Sequence, residues 1–261
     1  TGRFSLRGAG DSNTAAIAFG GYGLPPTGNV VTNATELWNG SNWTEVNDLN
    51  TGRQASSQAG TSTSGLTSGG STDTATVGNT ESWNGTSWTE VNDLNTARAG
   101  VTGFGLVNTA AIAQGSNSIP TGSLTEQWNG TSWTNVADIS TPRRTQSGGG
   151  VYTSGLVFGG ETPGAASVGN TEIWNGSAWT ETTDLNTAVR SAGSSGTTAS
   201  TGTSSPSALA FGGIDNPGSQ STATQEWTGA GAPIGAWSTG GSLNTARSFL
   251  AGAGTQTAAL A

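Results

Sequence analysis

The chain has 261 residues, a formal net charge of −8, 43 glycines, and only 9% charged against 32% hydrophobic residues. It contains no Cys, His, Met or Lys, which excludes disulfides and thiolate metal sites and removes the commonest general base and metal ligand. The acidic balance argues against a nucleic-acid backbone or an anionic membrane as partner, no run has the length and apolarity of a membrane span, and no cofactor or metal is expected.

A glycine-rich chain without a period reads as low-complexity disorder. Ten regularly placed tryptophans argue otherwise. Trp38, Trp83, Trp128, Trp174 and Trp227 are spaced by 45, 45, 46 and 53 residues, and each is followed by a second tryptophan: Trp43, Trp88, Trp133, Trp179 and Trp237. A period of about 40–50 residues indicates propeller blades or helical pairs. The abundance of Thr, Val and Gly, with no apolar face at helical spacing, selects strands. The units run approximately over 3–52, 53–97, 98–142, 143–189 and 190–246, with a partial unit at 247–261.

Each unit opens on Thr-x-Arg, as at Thr51-Gly52-Arg53 and Thr96-Ala97-Arg98, with one extra residue in Thr187-Ala188-Val189-Arg190. A strand of small residues follows, then a polar turn such as Thr61 to Ser64, then a second strand ending in a Gly pair (Gly20-Gly21, Gly69-Gly70, Gly159-Gly160, Gly212-Gly213, and the incomplete Gln114-Gly115). A variable loop leads to a third strand, Thr-Glu-x-Trp, then to Asn-Gly, then to a fourth strand, Trp-Thr-Glu-Val, and the unit closes on Asp-Leu-Asn-Thr. Four short strands in about 45 residues is one blade of a β-propeller. The predicted fold is therefore all-β, a propeller of four-stranded blades with five blades favoured over six or over part of a longer array.

Asn-Gly is the strongest short hairpin signal because both residues tolerate positive φ. With a two-residue turn at Asn39-Gly40, Trp43 pairs with Glu36; with a four-residue loop it pairs with Trp38. Either register puts both indoles on one face of the sheet, as expected of a contact between neighbouring blades. The Asn-Gly-Ser/Thr triplets also match the glycosylation sequon, but the hairpin alone accounts for them.

The order Arg, small strand, apolar-Gly-Gly, loop, Glu-x-aromatic, short turn, Trp resembles the kelch repeat over essentially the whole chain. The resemblance implies four-stranded blades with the Gly pair ending the second strand. Trp38, Trp83, Trp128, Trp174 and Trp227 stand where kelch usually has Tyr. Galactose-oxidase-like enzymes share the kelch fold, but their copper site needs His, Tyr and Cys, which this chain cannot assemble. The Trp, Asn-Gly and Thr bias is also similar to repeat proteins of bacteriophage, particularly marine phage tails, and of environmental bacteria.

Arg247 to Ala261 aligns with Arg3 to Ala18, so there are six copies of the first half-unit and five of the second. Either the last strands replace or supplement the first in closing the ring, or the chain is a window cut from a longer repeat protein; the missing Met favours the second explanation, or proteolytic processing.

The recurring Arg (Arg53, Arg98, Arg143, Arg190, Arg247) and Glu (Glu36, Glu81, Glu126, Glu172) are expected to pair within or between blades, and Asp48, Asp93, Asp138 and Asp184 to make Asx-type bonds to nearby backbone. No catalytic or metal-binding residue stands out from the repeat. Loops joining strands two to three and four to one share one face of a propeller, and there the repeats disagree most: Tyr22, Leu24, Pro25, Asn117, Ile119, Glu161, Ile214 and Asp215. Variable loops on a constant frame are the usual arrangement for binding, so Tyr22, Asn117, Glu161 and Asp215 are the candidate ligand-binding residues. The expected function is a non-enzymatic structural or adhesion propeller displayed on a virion (phage tail or fibre) or cell surface. Its partners would be other virion or surface proteins, or a cell-surface glycan. The alternative is a lectin-like or protein-binding adaptor domain of a larger bacterial protein.

Overall fold

A computed structural model describes residues 2–24, 30–195, 208–228, 235–250, 253–255 and 258–260. Pro25 and most of the two insertions, 196–207 and 229–234, lie outside the described residues. Five four-stranded antiparallel sheets form the blades of a β-propeller, consistent with the kelch-like architecture expected. Blade 1 comprises Arg7–Ser12, Ala15–Phe19, Thr35–Trp38 and Trp43–Glu45. Blade 2 comprises Ala59–Gly60, Gly65–Ser68, Thr80–Trp83 and Trp88–Val91. Blade 3 comprises Thr102–Val107, Ala110–Gln114, Thr125–Trp128 and Trp133–Asn135. Blade 4 comprises Ser147–Val151, Ser154–Phe158, Thr171–Trp174 and Trp179–Thr182. Blade 5 comprises Gly193–Ser195, Ala208–Phe211, Thr224–Thr228 and Ala236–Thr239. In every blade the strands follow chain order across the sheet, and the first strands of successive blades are neighbours, which puts them innermost.

The ring does not close by joining blade 5 directly to blade 1. A terminal hairpin, Ala253–Thr255 paired with Ala258–Leu260, inserts its first strand between the innermost strands of blades 5 and 1. It occupies the place of a sixth blade's inner half. Among the described residues no third strand pairs with it.

The paired tryptophans sit directly opposite each other: Trp38 with Trp43, Trp83 with Trp88, Trp128 with Trp133, Trp174 with Trp179 and Trp227 with Trp237. In the first four pairs this is the four-residue-loop register, so Asn39-Gly40 is not a two-residue turn. Gly40 has φ 93°, and the Asn39 side-chain oxygen accepts from the Ser41 and Asn42 amides at 2.9 Å. Asn84, Asn129 and Asn175 do the same in their loops. Asparagine serves here as an acceptor that replaces backbone turn bonds, and glycine supplies the positive φ.

Between blades, the second indole of blades 2 to 5 crosses to the preceding blade. Trp88, Trp133, Trp179 and Trp237 donate Nε1–H to the hydroxyl oxygens of Thr35, Thr80, Thr125 and Thr171, at 3.0–3.2 Å. Trp88 meets Phe19 edge-on at 4.9 Å, and Trp237 meets Phe158 at 4.8 Å. A buried indole removes roughly 150–250 Å² from water, about 4–6 kcal/mol as an upper bound. So few residues can form the core because the remainder of the interior is small: a Cβ on Gly103 of the blade 3 inner strand would lie 2.6 Å from the backbone of Gln58 in blade 2.

The repeat's charges also build the frame. Arg53 pairs with Glu81, Arg98 with Glu126 at 2.7 Å and Arg143 with Glu172 at 3.0 Å, all buried. Each Glu holds the incoming chain: Glu81 accepts from the Asn50 and Thr51 amides at 2.7 and 3.2 Å. Burial lowers the pKa of these three guanidiniums, and the facing glutamate opposes that shift. The apparent extra residue before Arg190 is not an insertion. The carbonyls of Arg53, Arg98, Val189 and Arg247 accept from the second Gly of the preceding blade, so Val189 stands in the arginine's place. Its counterpart across the blade is Gln225, whose amide holds the Thr187 backbone at 3.0 and 3.1 Å. Blade 5 has thus lost both charges together. Asp48, Asp93, Asp138 and Asp184 bond Thr35, Thr80, Thr125 and Thr171 N–H, at 3.0–3.2 Å. These contacts span thirteen residues and tie the fourth strand's exit to the third strand, unlike the local Asx turn expected.

Candidate ligand-binding site

Two residues after the arginine position the chain turns down into each innermost strand. Ser5, Ala55, Gly100, Thr145, Ser191 and Phe249 all adopt positive φ there, between 52° and 73°. For the five that are not glycine this conformation costs about 1 kcal/mol or more each. Bonds between neighbouring blades hold it: Ala55 N to Ser5 O (3.2 Å), Gly100 N to Ala55 O (2.7 Å), Ser191 N to Thr145 O (2.9 Å) and Phe249 N to Ser191 O (2.9 Å). These residues rim a cavity of about 130 Å³ on the axis, whose wall includes Arg7, Gln58, Thr102, Gln146, Ser147 and Ser194.

The cavity's chemistry is polar and locally cationic. Arg7 donates through Nε to the Ser56 carbonyl and through Nη2 to the Val101 carbonyl at 3.4 Å. Among the described residues no carboxylate pairs with it, and loss of water lowers its pKa to about 10. The side-chain oxygens of Gln58 and Gln146 are buried without a hydrogen-bond partner, although Gln146 donates through Nε2 to Gln114 at 2.8 Å. A lone cation beside unmet acceptors suits a ligand carrying both an anionic group and hydroxyl donors.

Around this rim lies a second, variable ring. The residue after the Gly pair faces the residue after the arginine position: Tyr22 with Phe4, Ser71 with Gln54, Asn117 with Ala99, Glu161 with Arg144 and Ile214 with Arg190. Three of the four candidates therefore occupy equivalent stations. Tyr22 meets Phe4 with the rings tilted and their centres 5.2 Å apart. Asn117 is exposed and lines the cavity over Gly100. Glu161 is buried and bridges Arg144 at 2.6 Å and Arg190 at 3.2 Å, so it locks blade 4 to blade 5. Asp215 stands one residue further out and caps its own loop through Ser219 N–H at 3.0 Å. Ile214 belongs to the ring, whereas Leu24 lies at its outer margin, bonded to the Gly2 carbonyl at 3.2 Å.

Arg7, Gln58 and Gln146 are absent from the sequence-based candidates. A signal exists for Arg7. Its counterparts in the first strands are Ser57, Thr102, Ser147 and Gly193, so it is the one large charged residue in a row of small ones. Among the described residues no group of three acidic side chains is placed to hold a metal. No protein-family model matches the chain, and no curated protein matches it either.

Proposed function

We propose that this propeller is a non-enzymatic binding module, displayed on a virion or cell surface, that takes an acidic glycan at the mouth of its axial channel. The observation that carries the reading is Arg7, an uncompensated guanidinium inside a cavity that the variable ring encircles. A carboxylated or sulfated sugar answers both needs of that cavity, its anion meeting Arg7 and its hydroxyls meeting Gln58 and Gln146. The display on a virion or cell rests on the similarity of the repeats to phage and environmental bacterial proteins. The test is binding to an array of neutral and acidic glycans. Acidic glycans should bind, and Arg7→Gln should weaken them at least tenfold while leaving the fold intact. Binding unchanged by Arg7→Gln, or confined to neutral glycans, contradicts the site. Turnover of any bound glycan contradicts the non-enzymatic part.

A further inference from the structure

Two glutamines break the repeat at the junction of blades 3 and 4. Gln114 faces Thr125 across its blade, the place held by Phe19, Ser68, Phe158 and Phe211 in the other blades. Gln146 lies three residues after Arg143, where the other units carry Leu6, Ser56, Val101, Ala192 and Leu250. Both are buried, with Gln146 only 6% exposed. The same junction lacks a backbone tie. Elsewhere the second Gly of a blade donates to the carbonyl of the next arginine station. Here Ser116 stands in that glycine's place, and among the described residues its N–H makes no such bond.

The two amides form a relay whose direction is fixed from its far end. Gln114 donates through Nε2 to the Gly122 carbonyl at 3.4 Å. A carbonyl only accepts, so Gln114 must turn its Oε1 towards Gln146. Gln146 meets it with Nε2 at 2.8 Å. That leaves Gln146 Oε1 as the atom without a partner, on a side chain that lines the axial cavity. The amide passes over Gly115, where a Cβ would lie 1.7 Å from Nε2. Turning Gln146 over would set oxygen against oxygen. Gln58 differs, because among the described residues no hydrogen bond fixes its amide, and it can turn to suit a donor or an acceptor. A relay that served only the junction would end on a satisfied atom. This one ends on a buried, unmet acceptor at a cavity, which is set for a donor from outside.

We infer that Gln146, with Gln114 as its positioning residue, makes the axial cavity selective for an anionic ligand that brings a hydrogen donor beside its charge: a hydroxyl, an amide N–H or a proton on the acid group itself. This rests on the reading of Arg7 as the anion's partner. An anion whose neighbouring atoms only accept meets Gln146 lone pair to lone pair and leaves it unpaired, so it is rejected.

Inorganic phosphate and sulfate at about pH 6 are the probes, because phosphate keeps a proton on oxygen there and sulfate keeps none. Each is titrated into the whole chain and followed by NMR through the side-chain N–H signals of Arg7, Gln58 and Gln146. Charge alone favours the divalent sulfate. A phosphate preference of about tenfold or more is nevertheless the expected result, with Arg7→Gln abolishing both. Gln114→Ser copies blade 2 at Ser68, and Gln146→Leu copies blade 1 at Leu6. Each should erase the preference while Arg7-dependent sulfate binding persists. Gln146→Leu removes the acceptor itself, so it decides the matter if Gln114→Ser does not fold. A role in packing alone would shift the melting temperature of these variants and leave the phosphate-to-sulfate ratio unchanged. Equal binding of the two anions by the unsubstituted protein, or a preference that survives either variant, overturns this inference and leaves Arg7 as an anion site. Anion binding indifferent to Arg7→Gln, or none at all, overturns both.

Discussion

The junctions between blades 1 and 2, 2 and 3, 3 and 4, and 4 and 5 differ from the one between blades 5 and 1 in a single respect. Each of the four is closed from the axis to the rim by an outer hairpin, whereas among the described residues the last is closed only near the axis by the terminal hairpin. The same tryptophan is therefore core in one setting and surface in another. Trp133 and Trp43 belong to nearly identical hairpins, yet one is 5% and the other 44% exposed. Burial here belongs to the junction and not to the motif.

The largest expected effect tests that contrast directly. Trp174→Ala, inside a closed junction, should destabilise the protein by about 3–5 kcal/mol, whereas Trp43→Ala at the open one should cost under ~1 kcal/mol. Urea denaturation measures both. Equal losses would mean that the open junction is sealed in solution.

Next in size is the buried ion pair. Arg98→Val strands Glu126 inside the protein, a change that typically costs about 3–5 kcal/mol. Adding Glu126→Gln should recover most of that loss, because blade 5 already carries this combination in Val189 and Gln225. A double mutant no more stable than Arg98→Val would show that the neutral pair works only in blade 5's surroundings.

A smaller difference separates the threonine acceptors. Thr80→Val removes the partner of Trp133 Nε1 and should cost about 1 kcal/mol. Among the described residues no tryptophan bonds Thr224, so Thr224→Val should leave stability unchanged. Thermal denaturation of the two variants side by side decides it.

The smallest effect concerns the cavity. Burial lowers the pKa of Arg7 to about 10, below its unfolded value, so below pH 10 the folded state carries the full cost of a charged, desolvated group. As pH rises through about 10 the folded state releases this proton before the unfolded one, and that cost falls away. Arg7→Gln should therefore not lower the thermal midpoint at pH 7, even as it removes anionic ligand binding. A clear loss of stability would make Arg7 a structural group.

Much of this architecture is legible in the sequence because one local signal repeats. The paired tryptophans at a spacing near 45 residues specify four short strands per unit, and their parity puts both indoles on one face. Where the reading slips, a chemical label was followed instead of the register. Arg190 resembles the repeat arginine, yet Val189 holds that station, as only the backbone bond to Gly160 shows. The Asn-Gly dipeptides left a two-residue turn and a four-residue loop both open, and the side-chain acceptor of asparagine selects the four-residue loop. The exposure of Trp43 and Arg247 was not legible at all. It depends on how the two ends of the ring meet, and no local pattern encodes that. Of the candidate site, the variable ring was readable through Tyr22, Asn117 and Glu161, while the axial floor depends on Arg7, whose departure from a run of small residues is visible only once the first strands are aligned.

Solvent exchange of the indole protons in protein labelled with ¹⁵N-tryptophan tests the junction account most directly. The Nε1 protons of Trp88, Trp133, Trp179 and Trp237, each bonded to a threonine of the preceding blade, should exchange slowly, and that of Trp43 rapidly. A Trp43 proton as slow as those four would contradict the half-open junction.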